Sequence, residues 1–322
     1  MQMTSDLSFS DTSECVLVTG ASGFIGSLLV KALVKNRQRV IVLTRHPEKA
    51  ALQFDKNVSC IANMNGLSTE QQIDVVVNLA GARILGWRWT AARKEVLRQS
   101  RIDTTKNVIA WIARATHKPR LFLSASAIGY YGIQAKGDAG LLKEDSAPQA
   151  IFMSQLCQEW EAAAQAATQY GVKVICMRFG LVLGKGGALP MMLLPIRMGV
   201  GGRLGDGQQW LSWIHVEDLL RGIAHLWQSN ATDAIETYNF TAPQTVTQEV
   251  FSQTAARVLH RPSIFPTPAI LMQLLLGEQA DLLLEGQRVT PAGLQASGFE
   301  FVYPDLQSAL ENLTQANKNN PE

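Results

Sequence analysis

What this 322-residue chain has little of narrows its function before any motif is read. Its four cysteines, Cys15, Cys60, Cys157 and Cys176, stand far apart, with no Cys-x-x-Cys and no histidine at ligand spacing. That excludes a zinc module and a disulfide scaffold, and it points to a reducing compartment. His46, His117, His225 and His260 are isolated, without carboxylate or cysteine partners at useful spacing, so no chemistry is expected of them. No block of like charge is present: 29 basic residues against 27 acidic leave +2, without the arm or stripe that would hold nucleic acid or an anionic membrane. No run approaches the ~18 consecutive apolar residues of a membrane span, and MQMTSDLSFSDTSE has neither the basic start nor the apolar core of a secretory signal. The expectation is a cytoplasmic protein with a small-molecule substrate, no nucleic-acid partner and no membrane association. With 47% hydrophobic and 17% charged residues, the chain is also too apolar to be disordered.

What is present is an alternation of strand and helix. Cys15 to Thr19, Val40 to Leu43, Asp74 to Leu79, Arg120 to Ser124 and Val172 to Arg178 are short apolar or β-branched runs of the kind buried on both faces of a parallel sheet. Helical spacing fills the gaps: Phe24 to Val34, Thr90 to Ala115 with a stripe of Val96, Ile102, Val108, Ile109 and Ile112, and Phe152 to Tyr170 closed by Gly171. This predicts an α/β fold, a Rossmann-type doubly wound parallel sheet with right-handed crossovers. After Leu183 the texture turns rich in Gly and Pro, then returns to regular elements at Trp213 to Trp227 and Thr237 to Phe240. The expected division is interleaved: residues 14–183 and 211–244 bind the cofactor, residues 184–210 and 245–315 form a smaller, mostly helical C-terminal lobe on the substrate side, and 1–13 and 316–322 are flexible termini.

The strongest motif is Thr19-Gly20-Ala21-Ser22-Gly23-Phe24-Ile25-Gly26, a G-x-x-G-x-x-G turn between the first strand and first helix. Its missing side chains allow a sharp turn, close strand–helix packing, and approach of a pyrophosphate to the N–H groups at the helix start. Gly20, Ser22, Gly23, Phe24, Ile25 and Gly26 are therefore cofactor-binding candidates. At the end of the second strand, where NAD-binding sites carry an acid for the ribose hydroxyls, this chain has Thr44-Arg45. A guanidinium pairs with a 2′-phosphate, so NADP(H) is favoured over NAD(H). The bland alternative for Arg45 is a solvated loop charge.

With TGASGFIG, then NLAG at Asn78 to Gly81, SASAIGYYG at Ser124 to Gly132 and WIHVEDL at Trp213 to Leu219, the sequence resembles the extended short-chain dehydrogenase/reductases. More narrowly, GGRLGDGQQ before WIHVEDL and the late LLLEGQRVTPAGLQASGFEF are similar to an "epimerase family" subgroup with its own C-terminal domain. The resemblance implies that Asn78, Leu79, Ala80 and Gly81 line the adenine and pyrophosphate side and that Ser124, Ala125 and Ser126 stand beside the nicotinamide. It also implies that Gly180, Leu181 and Val182 contact the carboxamide end, that Arg101 reaches the cofactor, and that His215 is structural. Extended members often dimerise through two helices, here Thr90–Ala115 and Phe152–Tyr170. An amphipathic stripe also fits plain core packing, so a homodimer stays open.

The chain departs from the resemblance where the family does its acid–base chemistry, in a Tyr-x-x-x-Lys pair on the helix after the serine strand. Counted from Ser126, the matching positions are Ile151 and Gln155, and there is no lysine between Lys143 and Lys173. Gln155 retains a hydrogen-bonding role toward a ribose. Ser126, Tyr130 and Tyr131 are left as catalytic candidates, with aromatic packing as the alternative for the two tyrosines. Two readings follow: an NADP(H)-dependent oxidoreductase or epimerase-like enzyme with an atypical site, acting on a small carbonyl or nucleotide-linked substrate, or a non-catalytic NADP(H)-binding structural or redox-sensing protein. Trp87, Trp89, Trp111 and Trp160 read as packing anchors, and Glu159 and Glu161 as helix-surface charges.

Overall fold

The computed structural model describes residues 7–315 except 55, 85, 87, 136, 230–232, 271–273, 275, 276 and 281–283. In chain order the first half comprises β1 (Cys15–Thr19), α1 (Phe24–Lys35), β2 (Arg39–Leu43), α2 (Pro47–Ala51), β3 (Val58–Ile61), β4 (Val75–Asn78), α3 (Ala91–Arg114), β5 (Leu121–Ala127), α4 (Phe152–Gln165) and β6 (Lys173–Phe179). Then follow β7 (Leu181–Leu183), α5 (Leu189–Arg197), β8 (Trp210–Leu211), β9 (Trp213–His215), α6 (Val216–Trp227), β10 (Ile235–Phe240), β11 (Val246–Thr247), α7 (Gln248–Val258), α8 (Ala292–Ala296) and α9 (Leu306–Thr314).

Among the described residues, seven strands make one parallel sheet in the order β10-β6-β5-β4-β1-β2-β3. The chain winds outward from β1 to β3, returns to β4, and winds outward the other way, so the topological switch lies between β1 and β4, where such sheets bind ligands. Every residue of β1 and β4 is buried, which explains their unbroken apolar runs. Successive side chains alternate between faces. Val16, Val18, Val75 and Val77 join a core with α1 and α6, while Leu17, Val76, Phe122 and Val174 join another with Val108, Ile109 and Ile112 of α3. Val96, expected in that stripe, is exposed, because the first turns of α3 pack through Leu97 against Met153 and Leu156 of α4.

A further core gathers Leu189, Leu193 and Ile196 of α5, Phe251 and Ala255 of α7, and Leu310 and Leu313 of α9. The segment around Gly286 to Thr290 pairs with the loop after β5: Leu142 N–H donates to Arg288 O (2.8 Å), Thr290 N–H to Leu142 O (3.0 Å), and Gln134 N–H to Gly286 O (3.2 Å). Within residues 7–13, part of the arm expected to be flexible, Leu7 and Phe9 are buried: Phe9 lies edge-on to Trp227 at 5.3 Å, beside the 2.7 Å bond from the Trp227 indole N–H to Glu14. Residues 1–6 and 316–322, and Trp87, lie outside the described residues. Among the described residues, no helix is long and apolar enough to cross a membrane, and no group of His, Cys, Asp and Glu side chains is arranged to hold a metal.

Candidate functional site

The glycine turn sits at the switch point. Gly20 has φ +69°, and a Cβ there would lie 2.4 Å from Leu79 O, so the turn can press against the end of β4 only without a side chain. Gly23 caps α1 without a side-chain acceptor, and the first turn of α1 contains no acid, so the N–H groups of Phe24, Ile25 and Gly26 are left for an incoming anion. Ser22 and Gly23 are exposed at the mouth, and Ile25 is half-buried. At the end of β2, Thr44 accepts a hydrogen bond from His46 N–H (3.3 Å), while Arg45 is exposed and has no ion-pair partner among the described residues.

The end of β4 carries a buried polar hub. Asn78 Oδ1 accepts from the Thr19 hydroxyl (2.6 Å), and its amide donates to the Thr105 hydroxyl (2.8 Å) and the Ser124 hydroxyl (3.3 Å). Asn78 and Ser124 are 0% and 1% exposed, so their side chains shape the cradle from below rather than lining it. Leu79 and Ala80 are half-buried, and Gly81 is exposed above Arg101, whose guanidinium would touch a Cβ there at 3.0 Å. Arg101 donates to Leu97 O (3.0 Å) and Ala82 O (3.2 Å) and has no acidic partner among the described residues. Burial pulls its pKa down to about 10, partly offset by Cys157. The buried guanidinium thus lies between two carbonyls and the Trp160 ring, 5.2 Å from its centre, beneath Gly81.

At the far end of the site the structure redraws the expectation. Ser126 is buried and donates to Glu161 Oε1 at 2.6 Å. Glu161 in turn binds Arg178 in two bonds, Nε to Oε1 and Nη2 to Oε2, each 2.9 Å. Arg178 Nη1 donates to the Tyr131 hydroxyl (3.0 Å), which donates to Asn239 Oδ1 (2.6 Å). Burial opposes charge on Arg178, but the bonds and charge of Glu161, with Tyr131, outweigh it and hold its proton more firmly than usual. Burial pushes Tyr131 up to about 12 despite Arg178. Tyr130, in contrast, is only half-buried, its ring lying 3.4 Å from the Arg178 guanidinium carbon. Ala125 is buried within β5, and Gly180, Leu181 and Val182 are half-buried where β7 pairs with β9.

Gln155 lies off the buried face of α4. The buried face of α4 is Met153, Ser154, Leu156, Cys157, Trp160, Glu161 and Ala164, and Gln155 points the other way into solvent. The i, i+4 pair beside the end of β5 is Met153 and Cys157, which a Cβ on Gly129 would meet at 3.5 and 3.8 Å. Cys157 is held by the Ala127 backbone and Ser126, and burial, then Glu161, pushes its thiol up to about 12. Neither position can move a proton near neutral pH.

The NAD dependent epimerase/dehydratase description matches residues 16–240, more than half of the chain. The chain belongs to that family. A Domain of unknown function (DUF1731) matches residues 267–313, the module whose Gly286 to Thr290 segment holds the loop after β5. Epimerase family protein SSP1921 of Staphylococcus saprophyticus is 38% identical over 92% of this chain and 98% of its own length. Epimerase family protein YfhF of Bacillus subtilis is 37% identical over 92% of this chain and 97% of its own. The crystal structure of human epimerase family protein SDR39U1 with NADPH aligns with TM-score 0.82 at 32% identity, over 93% of this chain and 98% of that one.

Within this family member, sequence reasoning missed Glu161 and Arg178, the charged pair that links Ser126 to Tyr131. Glu161, expected on the helix surface, is only 5% exposed. The overlooked signal was Arg178 itself, a charge inside the apolar run VKVICMRF, which can be buried only with a partner. The residues present fit a dinucleotide: an uncapped helix start behind a side-chain-free turn, an exposed cation at the β2 end, and a buried one under Gly81.

Proposed function

We propose that the protein is an NADP(H)-dependent oxidoreductase acting on a small carbonyl or nucleotide-linked substrate at the C-terminal edge of the sheet. Arg45 carries the cofactor half of this reading: it stands exposed and without an ion-pair partner among the described residues, where a carboxylate would be needed to favour NAD(H). The NADPH in the human relative's structure supports the same direction. A bound nicotinamide would supply or accept hydride, and the chain's own part is to hold it and handle the proton. The amides of Phe24 to Gly26 receive the pyrophosphate, Arg45 the 2′-phosphate, and Leu79 to Gly81 and Gly180 to Val182 form the walls. Arg101 adds positive charge from beneath Gly81.

Of the proton-handling candidates, Ser126 and Tyr131 are committed to Glu161, Arg178 and Asn239, which leaves the half-buried Tyr130 as the group that meets substrate. Without a lysine beside it, Tyr130 forgoes part of the ~100- to 10,000-fold that general acid–base help gives, so turnover is slow. Met153 and Cys157 on the site face of α4 favour a second reading, a protein that binds NADP(H) without turning it over.

Fluorescence titration with NADPH and NADH, followed by a screen of carbonyl compounds for NADPH consumption, separates these. Tight NADPH binding with turnover supports the enzyme, binding without turnover the second reading, and equal or absent binding of the two cofactors rejects the argument from Arg45.

A further inference from the structure

We propose that Lys185 is a cation of the dinucleotide site, reaching the pyrophosphate from the side opposite Arg45. The inference rests on the cofactor reading above and deepens it. Lys185 is the middle residue of a three-residue turn, Gly184 to Gly186, closed by the antiparallel bridge between Leu183 and Gly187. The turn lies against the ring of Phe24, the first residue of α1. A Cβ on Gly184, Gly186 or Gly187 would stand 2.3, 2.8 or 2.9 Å from atoms of that ring. The three glycines let the backbone close on Phe24, and the residue between them is the one with a long side chain. The tip is thereby fixed beside the helix start whose N–H groups have no side-chain cap.

Three further observations define what Lys185 can do. It is exposed, and among the described residues no acid pairs with it. The turn follows β7, next in the chain after β6, whereas Arg45 follows β2, and β6 and β2 lie on opposite sides of β1 in the sheet order. Finally, α4 carries no lysine, so that helix brings no ammonium of its own to the site. An ammonium is a compact point charge on a flexible stem and suits a pyrophosphate. Because the pyrophosphate is common to NADPH and NADH while the 2′-phosphate lies at the far side, Lys185 strengthens both dinucleotides equally.

The test is titration of Lys185→Ala and Lys185→Arg with NADPH, NADH and adenosine 2′-monophosphate, which keeps the 2′-phosphate but has no pyrophosphate. Lys185→Ala is expected to weaken NADPH and NADH alike by about five- to tenfold, to leave adenosine 2′-monophosphate unchanged, and to flatten the salt dependence of dinucleotide binding. Lys185→Arg is expected to retain most of the affinity. Unchanged dinucleotide affinity in Lys185→Ala, a loss confined to NADPH, or a parallel loss of all three ligands would each overturn the assignment. Failure of the unaltered protein to bind either dinucleotide would overturn the cofactor reading itself, and Lys185 with it.

Discussion

Replacing Arg45 probes the cofactor preference most directly, because the change is confined to the proposed ligand contact. The side chain is exposed and makes no ion pair among the described residues. Its loop is held without it, by Thr44 N–H on Ile61 O (3.0 Å), by His46 N–H on the Thr44 hydroxyl (3.3 Å), and by α2 starting at Pro47. Arg45→Ala should therefore change stability by no more than about 0.5 kcal/mol, as surface substitutions do. Charge-assisted hydrogen bonds contribute about 1.5–3 kcal/mol, and exposure places this one toward the lower part of that range. At roughly 1.5–2 kcal/mol, NADPH should bind about 10- to 30-fold more weakly, with NADH within about twofold of the unaltered protein. Arg45→Asp adds repulsion of the 2′-phosphate and should turn the preference toward NADH. The assay is cofactor fluorescence titration at low and high salt, the difference between variants shrinking as salt screens the pair. An equal loss of both cofactors, or no loss of NADPH, would refute the reasoning.

Other perturbations address the rest of the site. Tyr130→Phe should cut any carbonyl-dependent NADPH consumption by about 100-fold or more with an unaltered dissociation constant for NADPH; full turnover would remove Tyr130 from the reaction. Glu161→Gln strands a buried guanidinium and should lower stability by about 3–5 kcal/mol in urea unfolding, while Glu161→Leu with Arg178→Met should recover most of it; a single variant as stable as the parent would contradict the pairing. His215 is fully buried, and its Nδ1 accepts the Glu217 N–H at 3.1 Å, so burial pulls its pKa from 6.5 to about 4. The unfolded chain then binds that proton first. Its roughly 3 kcal/mol is complete above pH 6.5 and drains away as pH falls toward 4. His215→Asn, which keeps a capping acceptor, should narrow the gap between urea midpoints at pH 7.5 and pH 5; an unchanged gap would assign acid sensitivity elsewhere.

The parts of the site legible in sequence are those whose physics is local. A glycine turn between strand and helix declares itself by spacing, and Arg45 by its place after a β-branched run. The register of α4 was not legible by counting from Ser126, because the length of the intervening loop is free. The helix itself held the answer: Trp160 and Ala164 mark the buried face, and stepping back from them by turns leads to Cys157 and Met153 rather than to Gln155. The Glu161–Arg178 pair escaped for a different reason, since its members come from a helix and a strand and each looks ordinary alone. Phe9 escaped likewise: one aromatic residue in a polar stretch has no periodicity, and only Trp227 and Glu14, brought close by the fold, give it a place.

The segment Gly286 to Thr290 ties the C-terminal module to the loop beside the candidate site. The module holds the loop that follows Tyr130 and Tyr131: Arg288 N–H donates to Gln134 Oε1 at 2.8 Å, the Gln287 amide to Gly132 O, and, beyond the segment, Gly293 N–H to Glu144 Oε1 at 2.9 Å. Glu144 also accepts from Asn239 N–H at 3.0 Å, and Asn239 accepts from Tyr131. The module thus acts as a handle on the tyrosines. Anything that tilts it moves them, and a chain cut after β10 would release the loop it was meant to leave intact.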